Sequence, residues 1–86
     1  ESGVAPQSLY MMNGELIHQA AAAVVKRAPA PEAGRLAWLY QQILNRPLRS
    51  EERERDLAFV ASYPGKEGWQ ALVRVLFASN EFLYID

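Results

Sequence analysis

The stretch LAWLYQQILNRP, residues 36–47, decides the fold. Leu36, Leu39, Tyr40, Ile43 and Leu44 fall at i, i+3, i+4, i+7 and i+8, one continuous apolar stripe on a helix of 3.6 residues per turn. Nothing in it alternates with the period of two that a half-buried strand requires. Asn45 follows the stripe and tolerates the left-handed backbone with which many helices end. Asn45–Pro47 is one of three punctuation marks, with the PAP of residues 29–31 and the YPG of residues 63–65.

Outward from this stretch the helical period repeats. The first segment places Ile17, Ala20, Ala21, Val24 and Val25 on one stripe, with Lys26 and Arg27 in its last turn, where cations suit the helix dipole. Leu9, Tyr10 and Met12 form an apolar lead-in. Asn13-Gly14 separates the two parts, and Asn13 reads as the N-cap of the second. Pro31 suits the first turn of the second helix. The third segment starts at Ser50 as N-cap, with Glu51 and Glu52 at the positive end of the dipole. Its expected buried face is Leu57, Val60 and Ala61, with Phe59 to one side. The fourth puts Trp69, Leu72, Val73, Leu76 and Phe77 on the same spacing as the second.

The expected fold is therefore all-α: a small compact bundle of four main helices near residues 15–28, 32–45, 50–62 and 67–79. The first helix is expected to be broken near Asn13-Gly14. The predicted core is Ile17, Val24, Leu36, Leu39, Tyr40, Ile43, Leu57, Val60, Trp69, Leu72, Val73, Leu76 and Phe77.

The ending SNEFLYID raises a separate question. Asn80 falls on the buried stripe, where an unpartnered amide costs about 1–3 kcal/mol. The expectation is that the helix stops there, because asparagine favours caps over helix interiors. Asn80 would bind freed backbone groups, Ser79 and Glu81 would lie near the surface of the turn, and Phe82, Leu83, Tyr84 and Ile85 would fold back over the open end of the bundle. Phe82 would be the anchor of that tail. The alternative is one straight helix to the terminus, with Leu83 and Tyr84 extending the stripe.

Eighty-six residues amount to one domain, and half of them are apolar, enough for one modest core. There is no cysteine, which excludes a disulfide framework, a thiolate zinc site, an iron–sulfur cluster and covalent haem attachment within these residues. The net charge is −1, from nine basic and ten acidic residues mixed along the chain, without the cationic cluster that nucleic-acid binding draws on. No apolar run approaches the roughly 20 residues that cross a bilayer. The sequence begins at Glu1 with neither an initiator Met nor a signal sequence, and reads as an excised C-terminal piece of a longer protein.

Candidate chemistry is sparse. Glu15 and His18 share a helix face at the Glu-x-x-His spacing of di-iron bundles, but those need two such pairs and this chain has a single histidine. An ordinary surface or hydrogen-bonded histidine is the expectation. Met11, Met12 and His18 are axial haem ligands by type only, and methionines beside an apolar stripe are usually core filler. No cofactor and no metal site is expected. The charge run SEERERD, residues 50–56, reads as a solvated helix face, with Glu51–Arg55 attractive and Glu52–Asp56 repulsive. A helix-turn-helix around residues 45–50 is disfavoured by its long proline-bearing loop and the two glutamates that open the next helix. Trp38 lies off the stripe, and it either widens the core or faces an interaction partner. No Ser/His/Asp arrangement or Gly-rich phosphate loop is present.

Three blocks, SLYMMNGELIHQAA, RLAWLYQQILNRPLRSEERERDLAFV and WQALVRVLFASNEFLYID, together resemble the C-terminal region of the PSD-type domain of unknown function. That family occurs in planctomycete proteins that also carry a planctomycete cytochrome c domain. Its pattern has an LMNG opening, an LY...LGRxPxxEE middle and a W..L...L.NSNEFLY.D ending, and the likeness covers nearly the whole chain. Asn45 stands where the family often has glycine, and Ala78 where it often has asparagine. The resemblance implies an exported multidomain parent, periplasmic or on the cell surface, and implies no particular activity. Asn80, Glu81, Phe82 and Tyr84 are the residues that match its C-terminal motif. A weaker similarity runs to helical extracellular repeats and phycobilisome linker domains, a likeness of helix-pair geometry alone. The functional expectation is a non-catalytic docking or stabilising module of a larger exported protein, partnered by other domains of its parent or by another protein. It is expected to bind no nucleic acid and to insert into no membrane. The competing expectation is a fragment that contributes residues to a site shared with upstream domains.

Overall fold

A computed structural model describes residues 14–79, which form four helices: α1 (Glu15–Arg27), α2 (Glu32–Leu44), α3 (Ser50–Ala61) and α4 (Glu67–Ala78). No strand occurs among the described residues. The all-α bundle follows the helical periodicity. The expected break at Asn13-Gly14 begins at a residue outside the described range. Gly14 itself has an extended backbone and stands at the N-cap of α1.

α4 is the central helix, and each of the other three packs against it. Gly68, Trp69, Ala71, Leu72, Val73, Leu76 and Phe77 are buried, so most of its circumference is inside. α2 delivers Leu36, Leu39, Tyr40, Ile43 and Leu44 to the same core, the five stripe residues of the opening stretch. α1 contributes a fully buried Ala21, with Ile17, Ala20, Val24 and Val25 partly buried around it. Small side chains on α1 let it lie close to α4, where larger ones would hold the axes apart.

The helices end one residue earlier than the periodicity predicts, because the last residue assigned to each is its cap. Ala28 and Ser79 are extended, Ser62 is the C-cap of α3, and Asn45 is left-handed at φ 58° and ψ 40°. Asn45 Oδ1 also accepts a hydrogen bond from Gln41 Nε2 at 3.1 Å. Pro31 is the N-cap of α2, one residue before the first helical position. Ser50 is the first helical residue of α3 rather than its N-cap, which is Arg49. Ser79 leaves helical geometry at the end of α4, and its Oγ donates to the Leu76 carbonyl at 2.8 Å. The expected cap at Asn80 and the folded-back tail lie outside the described residues.

α3 corrects the sequence reading. Its inward residues are Glu52, Asp56, Phe59 and Val60, whereas Leu57 is 36% exposed and Ala61 is exposed. The observed face is rotated by about one residue, ~100°, from the Leu57–Val60–Ala61 face. Phe59 and Val60 reach the core from this rotated face, and Phe59 also meets Tyr63 edge to face, centroids 5.2 Å apart. The physical reason lies in the side chains that α2 and the following loop present to it.

Candidate functional site

Tyr40 sits in an otherwise aliphatic stripe, 1% exposed, and a buried phenol needs a partner for its hydroxyl. It donates to Asp56 Oδ2, sixteen residues away on α3, in a short hydrogen bond. Asp56 is 3% exposed, and its other oxygen accepts from Arg55 Nε at 2.9 Å. Arg55 Nη2 closes the triangle by donating to the Tyr40 hydroxyl at 3.2 Å. Burial, followed by the bond to Asp56, raises the Tyr40 phenol well above its ordinary range, so it stays a proton donor. The carboxylate of Asp56 raises Arg55 further above its already high value.

Arg46 builds the second half. Its guanidinium forms a fork with Glu52, Nη1 to Oε1 at 3.0 Å and Nη2 to Oε2 at 2.7 Å, the paired geometry that makes arginine–carboxylate contacts strong. Nη1 also donates to the Pro47 carbonyl at 2.9 Å, and the guanidinium lies over the Tyr40 ring at 5.2 Å, which joins the two halves. Glu52 accepts from the Arg49 backbone N–H at 3.0 Å as well, thereby capping α3 from its third residue. The hydrogen bonds from Arg46 hold the Glu52 carboxyl at about 2, against the opposing effect of its burial. The charge run of residues 50–56 is thus not a wholly solvated face. Two of its acids are buried, each with a cation from outside the helix or beside it.

The cluster borders an open cleft of about 440 Å³ between α2, α3 and α4, whose apolar wall includes Leu44, Phe59, Leu72, Val75 and Leu76. Among the described residues no buried side-chain polar atom lacks a hydrogen-bond partner, the phenol is locked as a donor, and both carboxylates are engaged by cations.

The residues singled out from sequence are placed elsewhere. Trp38 is partly buried and packs against the core from α2. Glu15 and His18 are both exposed in the first turn of α1, and no group of three or more metal-ligating side chains occurs among the described residues. Met11, Met12, Asn80, Glu81, Phe82 and Tyr84 lie outside the described range. No helix among the described residues is long and apolar enough to cross a membrane.

Sequence reasoning missed the Tyr40–Arg46–Glu52–Asp56 cluster, although two signals for it are present. A tyrosine at a core position demands a hydroxyl partner. Two acids at i, i+4 repel on an isolated helix, so their pairing points to cations elsewhere. Tyr40, Arg46 and Glu52 are also letters of the LY...LGRxPxxEE likeness, and they meet in space.

No family model matches the chain, and no curated protein or solved structure is found similar to it.

Proposed function

We propose that this domain is a non-catalytic helical docking or stabilising module of a larger exported protein, of the PSD-type domain kind. The observation that carries the reading is the internal satisfaction of its polar cluster. Among the described residues the ionic groups bordering the cleft are Arg46, Glu52, Arg55 and Asp56, and they pair with one another within the domain. Such an array fixes the rotation of α3 and engages both buried carboxylates of the cluster with cations of the same domain. The exported setting is supported by the resemblance of the three sequence blocks alone.

The test is calorimetric titration of this domain with the remaining domains of its parent, expressed separately. Association in that titration, with parent activity unchanged by Tyr40→Phe, is the expected result. Loss of parent activity in a folded Tyr40→Phe or Glu52→Gln domain would instead favour a site shared with upstream domains. Locating the tagged full-length parent in cell fractions tests export separately.

A further inference from the structure

A second cleft lies away from the Tyr40 cluster, where the end of α1 and the loop after it face the start of α4. It encloses about 680 Å³ and is lined by three cations, Lys26, Arg35 and Lys66, and two amides, Gln19 and Gln70, with small apolar side chains between them. Among the described residues no aspartate or glutamate lines it. In a chain with net charge −1 and ten acidic residues, this is a marked local segregation of charge.

Among the described residues, none of the three cations forms an ion pair. Lys26 and Lys66 are exposed and make no ion pair with any described residue. Arg35 is fixed in place by neutral groups: Nε donates to the Pro29 carbonyl at 3.1 Å and Nη2 to the Ala30 carbonyl at 3.0 Å. Its guanidinium also lies over the Trp69 ring at 5.1 Å. The arginine therefore keeps its full charge in a set position, held by the loop and an indole rather than by a carboxylate. A preplaced cation binds an anion at a lower entropic cost than a freely rotating one.

We propose that this groove docks an acidic protein segment, with carboxylates meeting Lys26, Arg35 and Lys66 and small or apolar side chains resting on the alanine floor. The proposal rests on the docking function above and names the class of partner. Two features favour a peptide over a single small anion. The cations come from three separate elements, so one phosphate would engage only part of the set, and methyl groups of Ala22, Ala23, Ala28 and Ala30 occupy the space between them. Contacts of this kind steer association and weaken as salt screens them.

The test uses a synthetic peptide of alternating glutamate and alanine, and a control in which every glutamate is glutamine. Binding is followed by fluorescence anisotropy at low and high salt. The glutamate peptide should bind, lose affinity on added salt, and lose about tenfold or more against the Lys26→Glu/Lys66→Glu double variant. Melting temperature should be unchanged by that variant. Reversal of two exposed cations outside the groove, Arg27→Glu/Arg53→Glu, should weaken binding far less.

Equal loss in both double variants, equal binding of the glutamine peptide, or no binding at all would overturn the proposal. Full displacement of the peptide by inorganic phosphate at the same concentration would also overturn it, in favour of a simple anion site. If these peptides fail while the parent's other domains still bind in calorimetry, the docking function stands and uses another face.

Discussion

Two glycines inside helices give opposite predictions for the same substitution. A Cβ built on Gly68, in the first turn of α4, falls 2.9 Å from both the carbonyl carbon and the Cα of Val60 on α3, and closer still to the carbonyl oxygen. Real Cβ atoms essentially never approach other heavy atoms so closely, and the obstacle is backbone, which cannot swing aside like a side-chain tip. In Gly68→Ala the start of α4 must move away from α3 and loosen the packing of Val60 against the core. Overpacking by one methyl costs about 1–3 kcal/mol, and a backbone obstacle belongs at the upper end of that range. Alanine returns about 0.5–1 kcal/mol in helix propensity. The net loss is about 2 kcal/mol or more, which for a domain of this size lowers the melting temperature by about 10 °C or more.

Gly34, in the first turn of α2, has nothing within 4 Å of the same built atom. Gly34→Ala should then show only the propensity gain, raising stability by up to about 1 kcal/mol. Urea unfolding followed by far-ultraviolet circular dichroism measures both variants against the parent sequence. A neutral or stabilising Gly68→Ala would refute the close approach of α3 and α4 on which the bundle geometry rests. A destabilising Gly34→Ala would show that the propensity argument fails here.

Glu52 is the acid-sensitive group. Its folded-state carboxyl is depressed to about 2 from an ordinary 4.5, so its contribution is fully present above pH 4.5 and is lost as pH falls towards 2. Allowing for solvent screening, that contribution is about 1–3 kcal/mol, and Glu52→Gln should flatten the fall in melting temperature over this window. Tyr40 and Asp56 should show strong coupling. Tyr40→Phe is expected to cost about 1.5–3 kcal/mol through a lost bond to a buried carboxylate. The double variant with Asp56→Ala should be less destabilised than the sum of the single variants by about 1 kcal/mol or more, and strict additivity would contradict the bond. Thermal unfolding with and without a chelator should coincide, and a drop in midpoint with chelator would bring Glu15 and His18 back as ligands.

The parts of the fold legible in the sequence are those decided by one segment at a time. The stripes of α2 and α4 identify their buried faces because their apolar residues are numerous and regularly spaced, and all five stripe residues of each are buried. Asn45 could be read as a terminator because its preference for left-handed backbone is a local property, and it is the one non-glycine residue of positive φ among the described residues. The polar cluster was not legible in this way. Its defining bonds join Tyr40 to Asp56 and Arg46 to Glu52, across a helix boundary, and neither partner's own neighbours reveal the other. Trp38 shows the intermediate case: being off the stripe leaves core and interaction surface both open, and the side chain is partly buried against the core.

The rotation of α3 can be decided by comparing two costs. Turning the helix by one residue would bury the remaining third of Leu57, worth about 0.5–1 kcal/mol when full burial of a leucine contributes about 1.5–3. The same turn would take Asp56 from the Tyr40 hydroxyl and Glu52 from Arg46. Leaving one buried polar group unpartnered costs about 1–3 kcal/mol, more where charge is involved, and two are at stake. Polar pairing therefore outweighs apolar burial on this helix. With only Phe59 and Val60 reaching the core, α3 is driven inward weakly but oriented firmly. That orientation places Phe59 in the wall of the cleft, which Val75 of α4 also lines. In this small bundle the buried acids act as registry devices, and the cleft they border takes its shape from the pairing they enforce.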